Sequence, residues 1–122
     1  MQGRLTNMKI SFLGASGNVT GSRFLVTINN YSLLVDCGLF QEREHQGRNW
    51  KPFPFNPAKI KHVLLTHAHI DHCGYLPRLV KEGFRGKIYC TAPSAEIAKI
   101  SLRDTARLQE YDAYLKKKRH RP

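Results

Sequence analysis

Nowhere in its 122 residues does this sequence hold an apolar run near the ~18 residues that a membrane-spanning helix needs. Its first ten residues include Arg4 and Lys9 but no apolar core and no small-residue cleavage site, which argues against a secretory leader. Cysteine is scarce: Cys37, Cys73 and Cys90 are odd in number, widely spaced and never form a C-x-x-C pair. Neither a disulfide framework nor a cysteine-rich zinc knuckle is indicated, and a reducing, cytoplasmic compartment is the simplest expectation. Acidic residues are few as well. Nine Asp and Glu stand against twenty Lys and Arg, a net charge of +11. Such a charge bears on partners rather than on fold, and polyanions such as RNA or DNA are its natural partners. The plainer alternatives are a basic surface habit, or a basic piece whose acidic remainder lies elsewhere.

What is present reads as one domain of modest size, with 41% hydrophobic residues and a single tryptophan, Trp50. Residues 9–13 suit a short strand, residues 14–22 a glycine-rich connection and residues 23–28 a second strand. Asn29 and Asn30 tolerate positive φ, so a hairpin into a third strand at 32–36 is expected. Residues 37–57, with Gly38, Gly47, Pro52, Pro54 and Pro57, read as an irregular excursion with one helical turn near 42–48. Its length leans towards a functional role. A buried strand is expected at 61–66, with Val63, Leu64 and Leu65 contiguous. A helix over 74–82 follows, with Pro77 in its first turn and Leu76, Leu79 and Val80 as its buried stripe. Gly83 suits the left-handed position after that helix, with Phe84 folded back on Leu79. A strand at 87–90 precedes a long helix over 94–118, whose apolar stripe runs Ile97, Ile100, Leu108, Tyr111 and Leu115. Asp104 falls within that stripe, where it either finds a partner or marks a surface interruption. The order β-β-β-loop-β-α-β-α argues for α/β layers, a mixed sheet flanked by helices.

The chemistry lies in His67-Ala68-His69-Ile70-Asp71-His72. Imidazole nitrogen and carboxylate oxygen both ligate Zn²⁺ well. His67 and His69 are two apart and point the same way in an extended segment, so they can share one metal. Asp71 and His72 sit where the chain turns into a helix, and can reach a second. Two such ions ~3.5–4 Å apart would activate water and polarise a phosphoryl or carbonyl oxygen. Isolated histidines are usually surface residues; four potential ligands at H-x-H-x-D-H spacing after a buried strand are a strong signal.

This motif resembles the signature of the metallo-β-lactamase fold. The resemblance implies that His67 and His69 bind one zinc and Asp71 and His72 the other, two Zn²⁺ in a complete site. It also implies that Asp71 orients the nucleophile and that Asp36, in Leu33-Leu34-Val35-Asp36-Cys37-Gly38, orients a ligand histidine. Four further segments resemble the β-CASP ribonuclease branch: Gly17-Asn18-Val19-Thr20-Gly21-Ser22, Asp36-Cys37-Gly38-Leu39-Phe40-Gln41, His72-Cys73-Gly74-Tyr75-Leu76-Pro77 and Asp104-Thr105-Ala106-Arg107-Leu108-Gln109-Glu110. The resemblance spans residues 10–121 and implies a zinc-dependent hydrolase of RNA phosphodiesters, with RNA as partner and no membrane.

Four side chains do not complete a dinuclear centre. Family members supply a further His and a bridging Asp later in the sandwich, and a β-CASP domain besides. Residues 1–122 are therefore expected to be a partial domain, the N-terminal half of an αββα sandwich, inactive alone. His62 is roughly 16 Å from His67 by strand rise and is excluded as a substitute; His120 sits in a basic tail, and His45 in the irregular loop. An incomplete donor set would also suit a short RNA-binding relative, or a half-fold that pairs as a homodimer. A hydrolase of thioesters or lactams on the same fold is the competing activity. The tail from Lys116 to Arg121 either contacts phosphate or complements a helix dipole.

Overall fold

A computed structural model of the chain describes residues 7–120, so Arg4 and Arg121 lie outside the described residues. Five strands form one mixed sheet in chain order: β1 (Met8–Gly14), β2 (Arg23–Ile28), β3 (Tyr31–Val35), β4 (His62–Leu64) and β5 (Lys87–Tyr89). The first three pair antiparallel, and β3–β4 and β4–β5 pair parallel. The expected hairpin forms, with Ile28 opposite Tyr31 and Asn29 at φ 54°. The helices are α1 (Ile70–Cys73), α2 (Leu76–Lys81) and α3 (Ala92–Arg119), with 3-10 turns at Gln46–Trp50 and Pro57–Lys59.

Side chains directly across a sheet share one face. Leu25, Leu34, Val63 and Ile88 lie in register on the face that α1 and α2 cover. Leu34, Val63 and Leu79 are fully buried there, with Cys37, Ile60, Leu65, Cys73, Tyr75, Leu76 and Phe84 around them. The other face carries Met8, Ile10 and Phe12 across from Ile28, Val26 and Phe24, then Leu33, Val35, Leu64 and Tyr89. Met8, Phe12 and Tyr89 are half or more exposed. One sheet face is thus packed and one apolar face is open, the expectation for half of a sandwich.

Several sequence expectations need correction. The helix expected over 74–82 forms as α2, and the unexpected element is α1 before it, which ends at Gly74, whose N–H bonds the Ile70 carbonyl at 2.8 Å. Asp71 and His72 therefore lie within a helical turn. Val80 is exposed, and so is Leu64 at 41%, since a strand alternates its faces while Val63 and Leu65 point inward. The helical turn near 42–48 forms later, at Gln46–Trp50.

The stripe on α3 is also misassigned. Ile97, Ile100, Leu108 and Tyr111 are all more than half exposed, and Asp104 is a surface carboxylate. What packs is the small-residue face: Ala98 is buried, and Ser94, Ala95, Ser101, Leu102 and Thr105 are partly so. Small side chains let this helix approach α1 closely, whereas the bulky stripe faces away from the described residues. Thr91 caps the helix, its hydroxyl accepting from the Ser94 N–H at 3.3 Å, and Lys116, Lys117, Lys118 and Arg119 close its last turn. Cations there are placed to complement the helix dipole.

The end of α2 follows the sequence expectation. Gly83 takes φ 122°, the Phe84 N–H bonds the Leu79 carbonyl at 3.1 Å, and the Gly83 N–H bonds that of Val80 at 3.1 Å. Buried Phe84 packs in the cluster that holds Leu79. Leu79→Ala should cost about 2–5 kcal/mol in denaturant unfolding, against less than about 0.5 kcal/mol for Leu108→Ala. Comparable losses at the two positions would show that α3 is packed through its bulky stripe after all.

Candidate metal centre

The site assembles where β3 and β4 end. The β3–β4 ladder continues one step past β3, the Asp36 N–H donating to the Leu64 carbonyl at 2.9 Å. Asp36 then takes φ 60°, a left-handed conformation that Asp tolerates better than most residues. That turn sends its side chain, 3% exposed, towards the segment after β4. Oδ1 accepts from the Thr66 N–H at 2.8 Å, and Oδ2 from the Thr66 hydroxyl at 2.7 Å and His72 Nδ1 at 2.8 Å. The Thr66 hydroxyl also meets His67 Nδ1 at 2.9 Å.

Donor–acceptor logic fixes the direction of this chain. A carboxylate only accepts, so His72 Nδ1 carries a proton and the Thr66 hydroxyl gives its own to Asp36. The hydroxyl oxygen can then accept from protonated His67 Nδ1. In the neutral tautomer with Nδ1 protonated, the Nε2 lone pair of each imidazole is the one available to a metal. Sequence reasoning identified Asp36 and missed Thr66. The available signal was a hydroxyl directly before the first histidine, at the end of a strand.

The expected donors come together. The rings of His67 and His69 lie 4.7 Å apart, and those of His67 and His72 lie 4.0 Å apart. His72 Nε2 is 3.4 Å from Asp71 Oδ2. Two ligands of one tetrahedral zinc, with bonds near ~2.0 Å, stand roughly 3.3 Å apart, so this pair is spaced to share an ion. The two pairs abut, because Asp36 holds His72 directly and His67 through Thr66. Among the described residues no three His, Cys, Asp or Glu side chains surround one metal position. Asp71 and His72 have donor atoms at the separation of two ligands, and His67 and His69 adjoin them ring to ring.

Other candidates lie apart from these pairs. His62 is flanked by Tyr31 and Tyr89, with ring centroids at 5.6 and 5.3 Å, and bonds the Tyr31 hydroxyl through Nδ1. His45 precedes the 3-10 turn at Gln46–Trp50, and His120 ends α3. Burial pushes the Cys37 thiol up to about 12 and that of Cys73 to about 11, where the neighbouring Asp36 and Asp71 also disfavour a thiolate. The Cys73 thiol donates to the Ala68 carbonyl at 3.5 Å.

Backbone contacts hold α1 in place. Three of its four carbonyls, at Ile70, Asp71 and His72, accept from the N–H groups of Leu39, Ser22 and Cys37 at 3.1, 2.9 and 2.8 Å. Gly38 lies so close that a Cβ there would stand 1.6 Å from the Asp71 carbonyl oxygen. Its own carbonyl accepts from Arg23 Nε and Nη2 at 3.1 and 3.0 Å. Buried Arg23 lies 4.1 Å from the Tyr75 ring and 4.8 Å from that of Phe40, a cation held by π faces with no carboxylate paired to it among the described residues. Burial pulls its pKa down.

Mixed sheet, helices on one face and the ligand turn after β4 define the class, and comparison agrees. Residues 17–117 match the Metallo-beta-lactamase superfamily, and the chain belongs to that superfamily. It is similar to ribonuclease TTHA0252 of Thermus thermophilus, at 43% identity over 84% of this chain and 24% of that protein. Transcription termination factor FttA of Methanocaldococcus jannaschii is 33% identical over 80% of this chain and 16% of its own length. An Integrator complex subunit 11 homolog of Dictyostelium discoideum is 35% identical over 80% and 14%. These relatives bear out the β-CASP resemblance, and the chain spans a quarter or less of their length. A solved Cronobacter sakazakii metallo-beta-lactamase, a HARLDQ-motif mutant, shares the fold with a TM-score of 0.52 at 24% identity, over 71% of this chain and 32% of that one.

Thr66→Val keeps the shape of the side chain and deletes the hydroxyl. In a chain extended to the relatives' length it should weaken zinc binding about 10–100-fold, as loss of a ligand's hydrogen-bond partner does, while Thr66→Ser retains it. Chelator competition measures this, and equal affinity in the valine variant would remove Thr66 from the site.

Proposed function

We propose that the chain is the N-terminal portion of a zinc-dependent hydrolase that cleaves RNA phosphodiester bonds. The observation that carries this reading is the cluster of His67, His69, Asp71 and His72, in which the buried carboxylate of Asp36 holds His72 directly and His67 through Thr66. His67 and His69 hold one zinc, and Asp71 and His72 the other. When bound, the two ions supply Lewis acidity and lower the pKa of water, which phosphodiester hydrolysis needs. Asp36 and Thr66 keep protons on Nδ1 of His72 and His67, so that Nε2 of each is free to ligate. Asp71, on the first turn of α1, directs its carboxylate beside His72 and orients the attacking nucleophile.

RNA as substrate draws support from the net charge of +11 and from the ribonuclease among the relatives. Cationic surface supplies salt-dependent, sequence-independent affinity for the phosphate backbone. Three free cysteines suit a reducing compartment, and we place the protein in the cytoplasm. No helix among the described residues is long and apolar enough to cross a membrane. The open sheet face calls for a second layer, which we assign to the remainder of the longer chain. The similarities do not favour a homodimer.

Zinc content after exhaustive dialysis is the direct test. The 122-residue chain should retain little zinc, and a chain extended to the length of the relatives should retain about two ions per molecule and cleave RNA. In the extended chain His67→Ala with His69→Ala should abolish cleavage and leave salt-dependent RNA binding in place. An extended chain that holds zinc but hydrolyses only thioesters or lactams, with no affinity for RNA, would overturn the assignment.

A further inference from the structure

Residues 15–22, between β1 and β2, fold with three left-handed positions, Ala15, Gly17 and Gly21, at φ 50°, 74° and 79°. Such a segment has little ladder bonding of its own and needs an outside anchor. Glu42 supplies it from the chain after β3. Its Oε1 accepts from the Val19 and Thr20 N–H groups at 2.8 and 2.7 Å, and its Oε2 from the Thr20 hydroxyl and, at 3.5 Å, from Asn18 Nδ2. The Gln41 N–H donates in turn to the Thr20 hydroxyl oxygen at 2.8 Å. One carboxylate collects four donors from three consecutive residues. These hydrogen bonds hold its pKa down at about 2, so the grip persists across the whole neutral and mildly acidic range.

Two residues beyond the gripped Thr20 comes Ser22, 4% exposed, whose N–H is the donor to the Asp71 carbonyl and whose carbonyl accepts from the Gly38 N–H at 3.1 Å. The Asp71 carbonyl is thus wedged between Ser22 and Gly38, and the loop that carries Ser22 is fixed from Glu42. We propose that Glu42 is a positioning residue for the Asp71–His72 donor pair, acting through the loop at 18–22 and the Ser22–Asp71 hydrogen bond. The inference rests on the reading of Asp71 and His72 as metal donors. It makes the two donor pairs unequal: the loop contacts the backbone of Asp71, whereas His67 is held by Thr66 and Asp36 without it.

The test compares the parent chain with Glu42→Ala, Glu42→Gln and Asp36→Asn, extended to the relatives' length for zinc titration. Amide hydrogen exchange at Ser22 and thermal melting are followed alongside. Glu42→Ala should speed exchange at Ser22 about tenfold with the β2–β3 amides unchanged. It should weaken one of the two zinc-binding steps about 10–100-fold and leave the other intact. Glu42→Gln keeps one carbonyl acceptor for Val19 and Thr20 and should fall between. Unchanged Ser22 exchange and unchanged zinc steps in Glu42→Ala would overturn the proposal, as would equal weakening of both steps with loss of protection throughout the sheet. If Asp36→Asn also leaves zinc binding unchanged, the metal reading itself fails, and Ser22 exchange alone then decides whether Glu42 positions Asp71.

Discussion

The carboxylate of Asp36 is the point on which the site depends. A buried carboxylate is costly unless its lone pairs are filled, and this one is filled by the Thr66 N–H, the Thr66 hydroxyl and His72 Nδ1. Its backbone is left-handed, a conformation that persists only where the surroundings enforce it. Enforcement comes from the Asp36 N–H on the Leu64 carbonyl, which extends the β3–β4 ladder to the turn itself. Sheet formation and ligand orientation are thus one event, and a site built at strand ends inherits the rigidity of the sheet.

The second constraint is backbone to backbone. Residues 37–39 run alongside α1 and donate to its carbonyls, an approach that only a glycine at position 38 permits. Arg23, buried between the rings of Tyr75 and Phe40, ties the Gly38 carbonyl to the start of β2. A four-residue helix has too few internal hydrogen bonds to stand by itself. Here each of three carbonyls finds an external donor, so the turn bearing Asp71 and His72 is as fixed as the strands around it.

The third is the asymmetry of the sheet. Leu34, Val63 and Leu79 close one face, while Met8, Ile10 and Phe12 leave the other open to water. The bulky stripe of α3 is open in the same way. The chain spans a quarter or less of its relatives' length.

What the sequence determined by itself was local. The H-x-H-x-D-H spacing after an apolar run named the candidate donors, the Asn29–Asn30 pair marked the hairpin, and Gly83 with Phe84 marked the end of α2. Each depends on residues within a few positions of one another, where side-chain type and backbone preference dictate geometry. Asp36 was also legible, through the family pattern at the end of a strand. Only the tertiary structure decided the rest. Which stripe of α3 packs is set by how closely α1 approaches, so Ala98 is buried while Ile100 is not. Thr66 matters because β3 and β4 lie side by side, and Glu42 because two irregular segments meet across more than twenty residues of sequence. Hydrogen bonds between such segments leave no periodic signal in the chain, and they exist only once the sheet has brought the strand ends together.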